Sequence, residues 1–196
     1  YDIGMSFRLR HFLIRFLLPI TWKKSSAQKV RVLQEFAQTE LDSAWQSIYA
    51  IERVENSGLR SLLFQHAMEE LFHSDLFRRL ASHKSSELPS APLTRREPLL
   101  FLEKGAEKSA VEFFAYLAIG ENEIKSDFDA YEHAIPDEDV RQLFQAIRGD
   151  EEHHARDSSK ALMDLTRKNG VSLRWIQRSE EHTSELQSLR HLVCRL

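Results

Sequence analysis

The chain carries Glu-x-x-His twice, as Glu70-Leu71-Phe72-His73 and as Glu151-Glu152-His153-His154. Each copy follows a lone glutamate, Glu40 or Glu121, by the same thirty residues. In an α-helix, residues three apart lie one above the other, so each motif aims a carboxylate and an imidazole at a common point. One such motif says little in a chain with nine His, because most helical glutamates belong to a solvated face. The joint pattern is far more restrictive, since it asks four helices to bring four carboxylates and two imidazoles to one depth. Buried without partners, those carboxylates would repel and suffer large desolvation costs, so they need cations, protons or basic neighbours. Lys and Arg are scarce on the stripes concerned, and a centre for two metal ions is the expectation.

Only six Gly and five Pro occur among 196 residues that are 42% hydrophobic, and the apolar positions recur at helical spacing, which predicts an all-α fold. The length suits one domain with one core. A first helix is expected from about Ser26, read as an N-cap, to about Val54, followed by a turn at Glu55-Asn56-Ser57-Gly58. A second should cover about Leu59 to His83, a third about Ala106 to Ala134, and a fourth about Glu138 to Asn169, ended by Gly170. Turn positions test the metal pattern independently. Glu40 and Glu70 are equidistant from residue 55, and Glu121 and Glu151 from Pro136. At about 1.5 Å rise per residue, both pairs sit roughly 22 Å from their turns and face each other across their hairpins. Two hairpins of matching geometry imply a pseudo-twofold bundle. Between them, Lys84 to Pro98 is polar and holds Pro89, Pro92 and Pro98. The whole connection is far longer than adjacent bundle helices need, which predicts a crossover running the length of the bundle.

Each candidate ligand lies on an apolar stripe. Glu40 has Leu33, Phe36, Ala37, Ala44 and Ile48 on its face, whereas Glu35 reads as solvent-facing. Glu70 shares a face with Leu63, Ala67 and Phe77, and Glu69 looks to the flank, toward Gln65 and Arg79. Glu121 stands among Phe114, Leu117, Ala118, Ile124 and Phe128, with Glu123 the weaker rival. Glu151 and His154 continue the stripe of Val140, Leu143, Phe144 and Ile147. Asp150-x-x-His153 is a competing pair one residue back, and the sequence leaves that register open.

Residues 178–196 are read differently. Arg178 to Ser188 back-translates to a sequencing-library adapter and His191 to Leu196 to its continuation, so this tail is expected to be an artefact. Residues 171–177 would then begin a lost C-terminal region, and Met5 would be the true start. Cys194, the single cysteine, falls in the tail, which leaves residues 5–177 without disulfides, zinc–thiolate sites or thiol nucleophiles. A net charge of −3 gives no electrostatic case for nucleic acid.

The N-terminal segment, residues 5–24, is expected to form a short amphipathic helix. Its stretch 7–18 is basic and apolar, ends at Pro19, and is too short and charged to cross a bilayer. Two readings stand: packing on its own bundle or on the partner subunit of a homodimer, and lying on a membrane surface to recruit a lipid-soluble substrate such as a quinone. It lacks a signal-peptide cleavage pattern, so the expected location is cytoplasmic, with peripheral membrane contact as the variant.

From about residue 25 to 170 the chain resembles ferritin-like di-iron carboxylate proteins of the rubrerythrin/bacterioferritin type. The ligand set of two lone Glu and two Glu-x-x-His is the one that superfamily uses, and Ile147…Asp150-Glu151-x-x-His154 is similar to its fourth helix. The resemblance implies a four-helix bundle with a long crossover between helices two and three. It further implies Glu40 and Glu121 as terminal ligands, Glu70 and Glu151 as bridging ligands, and His73 and His154 each on one metal. By the same resemblance, Asp150 accepts a hydrogen bond from a ligand imidazole. Where rubrerythrins carry a further Glu one turn beyond the third-helix ligand, this chain has Ile124, and the Cys-rich rubredoxin module is absent.

Hard oxygen ligands with two imidazoles suit two Fe ions, or Mn, or a mixed Mn/Fe pair. The function expected is an oxidoreductase activating O2 or H2O2, of peroxidase or hydroxylase type, supplied by an electron donor that the sequence does not name. Trp45, Tyr49, Phe72, Phe113 and Tyr116 would line a hydroxylase's substrate pocket or belong to an ordinary core. The alternative is a ferroxidase serving iron storage or detoxification.

Overall fold

Ser25 adopts an extended conformation and caps the first helix, its Oγ accepting from the Gln28 backbone N–H at 3.2 Å. Helix α1 then spans Ser26–Ile51. The cap is one residue earlier than the sequence suggests. The helix also stops short of Val54, because the Arg53 and Val54 N–H groups both turn back onto the Ala50 carbonyl at 3.0 and 2.9 Å. Asn56 opens α2, Ser57–Lys84, by accepting from the Leu59 N–H at 3.0 Å, so Ser57 and Gly58 are the first residues of the helix and not part of the turn. Helix α3 spans Glu107–Ala134, and Ile135-Pro136-Asp137 joins it to α4, Glu138–Asn169. Gly170 ends α4 in the left-handed region at φ 62°, its N–H bonded to the Thr166 carbonyl. A side chain is strained in that conformation, which is why glycine closes the helix there.

This computed structural model describes residues 18–20, 22–23, 25–84 and 107–170. The described residues are all-helical, with no strand among them. Leu18–Ile20 and Trp22–Lys23 are helical, and Leu18 and Trp22 pack into the bundle's own core. The remainder of the expected N-terminal helix, the connection 85–106, and the tail from residue 171 lie outside the described residues.

Side-chain partners fix the direction of each helix. Phe36 of α1 meets Phe128 and Tyr131 of α3, while Ala50 shares a cluster with Phe113, Phe114 and Leu117, so α1 and α3 run antiparallel. Phe77 of α2 meets Phe144 of α4, and Lys84 reaches Asp137 and Asp139, whereas His66 meets His154, so α2 and α4 are antiparallel too. Since each hairpin is antiparallel through its short turn, α2 and α3 point the same way. One ends and the other begins at opposite ends of the bundle.

Two apolar clusters divide the interior. The first, toward the α3–α4 turn, is built on Leu33, Phe77, Phe128, Phe144 and Ile147, with Phe36 stacked on Phe77 at 5.2 Å and edge-on to Phe128 and Phe144 at 5.4 and 5.1 Å. The second, toward the α1–α2 turn, holds Ala50, Val54, Leu63, Phe113, Phe114, Leu117 and Ala161. A polar layer lies between them. At the far end, Lys84 Nζ is 2.6 Å from Asp137 Oδ1 and 2.8 Å from Asp139 Oδ2, which ties the end of α2 to the α3–α4 turn. On the outer face of α2, Phe64, Met68 and Phe72 are exposed. None of the described helices is long and apolar enough to cross a membrane.

Candidate metal centre

Glu40, Glu70, His73, Glu121, Glu151 and His154 come together in the polar layer, none more than 6% exposed. Their neighbours along each helix explain the placement. Ala37 and Ala44 flank Glu40 on α1, Leu63 and Phe77 bracket the α2 motif, and Ile147 and Ser158 bracket the α4 motif, all of them buried. Apolar clusters lie on either side of this layer along the bundle, and the carboxylates within it are buried.

Two groups of potential ligand atoms result, each within 4.8 Å of one another: Glu40, Glu70, His73 and Glu151 in one, His66, Glu70, Glu121 and His154 in the other. Glu70 belongs to both. Glu151 also spans the rings, with Oε1 3.2 Å from His73 Nδ1 and Oε2 3.8 Å from His154 Nδ1. Glu40 and Glu121 each belong to a single group. The rival register fails, because His153 is exposed and the Asp150 side chain is 47% exposed. Glu123 is only half-buried, against the full burial of Glu121.

Both motif histidines turn Nδ1 inward and Nε2 toward a carboxylate one layer out. His73 Nε2 lies 3.2 Å from Asp150 Oδ2, and His154 Nε2 lies 2.8 Å from Glu69 Oε2. A ring N–H donating outward fixes the tautomer that leaves the Nδ1 lone pair facing the site. The two brackets are equivalent by position, since Glu69 precedes Glu70 as Asp150 precedes Glu151. Glu69 therefore has a role that its flank position did not suggest, and the signal for it was the repeated acid-Glu-x-x-His. His66 was missed as well, having no counterpart in the second motif. Among the aromatics, Phe113 and Tyr116 are buried, but Phe72 is 61% exposed and lies outside both apolar clusters. Ile124, at the position where rubrerythrins have Glu, packs against the first apolar cluster.

The electrostatics follow from crowding. Burial, and then the Glu70 charge, push Glu40 well above the usual carboxylate range, and burial and Glu151 do the same to Glu121. Burial also raises Glu70, to about 7. Glu151 goes the other way: desolvation opposes its charge, but the adjacent imidazoles of His154 and His73 outweigh it and hold the group at about 2. Those imidazoles are correspondingly raised, against their own burial, by the carboxylates around them. His66, buried and then repelled by His154, is pushed down to about 3 and stays neutral.

Both oxygens of Glu40, Glu70 and Glu151, Oε2 of Glu121, and Nδ1 of His73 and His154 are buried and make no hydrogen bond. Buried polar atoms in folded proteins nearly always find partners. The imidazoles of His73 and His154 answer only two of these oxygens, at 3.2 Å from Glu151 Oε1 and 3.0 Å from Glu70 Oε1, and four carboxylates crowded around two rings fit metal cations, which would satisfy oxygen and nitrogen lone pairs together. These buried His/Glu groups can hold metal. Compared with protein-family models, curated proteins and solved structures, the chain matches none.

Proposed function

We propose that the chain is a ferritin-like di-metal oxidoreductase that activates O2 or H2O2 at a carboxylate-bridged pair of iron ions, with manganese or a mixed pair as the variants. The observation that carries this reading is the pair of four-residue groups sharing Glu70, with both carboxylate oxygens of Glu40, Glu70 and Glu151 buried and without a hydrogen bond. Helix directions support it too, since α2 and α3 run parallel and demand a crossover of the kind that such bundles use. What the bound pair supplies is two electrons within one site for O2 or H2O2, replenished by an external donor.

The chain's own residues do the rest. Glu40, Glu70, Glu121 and Glu151 provide hard oxygen ligands, and His73 and His154 provide nitrogen ligands held in orientation by Asp150 and Glu69. Burial of the whole set excludes bulk water, which strengthens every charge interaction inside it.

The test is to load the full chain with Fe2+ without oxygen and count iron per chain before and after air. A stable content of about two per chain, the number a paired site holds, with new near-ultraviolet charge-transfer absorption, supports the catalytic reading. Iron rising to a large multiple of that after air supports ferroxidase storage in its place, and no iron overturns both. Replacing Glu70→Ala together with Glu151→Ala should abolish loading while leaving the far-ultraviolet helix signal intact. Loading that survives this change would mean that the ligands are misassigned.

A further inference from the structure

The two halves of the site are built alike except on one side. Four residues before Glu70 stands His66, and four residues before Glu151 stands Ile147. Three residues after Glu40 stands Ser43, and three after Glu121 stands Ile124. Thus a polar pair, Ser43 with His66, occupies in one half the positions that two isoleucines occupy in the other. Ile147 and Ile124 belong to the first apolar cluster, whereas His66 is 4% exposed and its Nε2 enters the ligand layer, 3.5 Å from Glu121 Oε1 and 3.8 Å from Glu70 Oε1. Its ring lies edge-on to His154 with centroids 4.3 Å apart. Residues four apart share a helix face, so His66, Glu70 and His73 all project from α2 into the same layer.

Building on the di-metal reading, we propose that His66 is a third nitrogen ligand and that it makes the two metal positions chemically unlike. One position then has three carboxylates and one imidazole, from Glu40, Glu70, Glu151 and His73. The other has two carboxylates and two imidazoles, from Glu70, Glu121, His66 and His154. Imidazole-rich sites suit Fe, Zn and Cu, while carboxylate-rich sites suit Mn and Mg. The imidazole-rich position therefore takes a nitrogen-preferring ion first, and the carboxylate-rich one is left to a harder ion. Ser43 Oγ lies 3.1 Å from His66 Nε2. With the ring proton on Nδ1, the Ser43 hydroxyl donates to Nε2, whose lone pair a bound cation would take in its place.

A single equivalent of Cu2+ on the full chain tests this, because pulsed electron paramagnetic resonance counts the imidazoles bound to the ion. The wild type should show two. His66→Gln should show one, with Cu2+ binding weakened by at least the roughly 10–100-fold that losing a group one layer further out costs. Ser43→Ala should still show two, which separates ligation by His66 from a structural hydrogen bond to Ser43. One imidazole in the wild type, unchanged in His66→Gln, overturns the third ligand and leaves the di-metal site standing. Two imidazoles retained in His66→Gln also overturn it, since the second nitrogen would then come from another ring. A wild-type signal that persists unaltered in Glu70→Ala places the ion outside this layer and overturns the di-metal reading as well.

Discussion

Glu40, Glu70 and Glu121 are acids that the metal-free fold prefers to keep protonated, and that preference has a sign. A carboxyl raised from 4.5 to about 7, as Glu70 is, destabilises the folded chain progressively from pH 4.5 to 7, by about 3 kcal/mol at one pKa unit per 1.36 kcal/mol. His73 and His154, both raised, contribute stability that is complete below pH 6.5 and is lost as pH climbs through their folded values. Glu151, held at about 2, contributes above pH 4.5 and loses that contribution only as pH falls toward 2. The metal-free chain should therefore be most stable in mild acid and melt lower at pH 8 than at pH 5. Saturating Mn2+ should reverse the slope, because the cations require the ionised carboxylates. Melts with chelator and with Mn2+ check this, and two parallel pH profiles would contradict it. The convergence of Glu40, Glu70, His73, Glu121, Glu151 and His154 was legible because acids on apolar stripes violate the usual surface placement of Glu. His66 was not legible, since a lone His on an apolar face repeats nothing. Glu69 reaches His154 from a residue that is itself 49% exposed, which helical position alone assigns to solvent.

At the level of single helices, the apolar clusters decide stability. Phe77 is fully buried and touches the rings of Phe36, Phe128 and Phe144, one from each of the other three helices. Phe77→Ala should cost about 3–5 kcal/mol, since it removes a large ring that the remaining three cannot close over. Phe72, five residues earlier and 61% exposed, should tolerate Ala within about 0.5 kcal/mol. Urea unfolding of the two variants measures the contrast, and similar costs would mean that α2 is rotated. Periodicity located all four helices because each carries a long apolar stripe. Their ends were less readable, because a cap depends on which side chain reaches an orphan N–H. Ser25 and not Ser26 does so for α1, and Asn56 converts the Ser57-Gly58 turn signal into the first residues of α2.

For the whole molecule, the decisive fact is that each imidazole is braced from the opposite hairpin. His73 of α2 is held by Asp150 of α4, and His154 of α4 by Glu69 of α2. The sequence predicts a crossover from the length of the connection, which lies outside the described residues, and the ring contacts of Phe36 and Phe77 belong to helix directions in which α2 and α3 run parallel. It did not foretell the reciprocal bracing, because that depends on how α2 and α4 face each other across hairpins whose residues are about eighty apart. The symmetry has a measurable consequence. Glu69→Gln and Asp150→Asn keep the size and remove the charge of equivalent acceptors, so each should weaken metal binding about 10–100-fold. The pattern of loss should differ, since Glu69 acts on the imidazole-rich position and Asp150 on the carboxylate-rich one. With Co2+ and Mn2+ titrated in parallel, Glu69→Gln should weaken the first Co2+ bound and Asp150→Asn the Mn2+. If either variant binds both ions as the wild type does, its imidazole does not need the brace, and the two hairpins are joined at the site by packing alone.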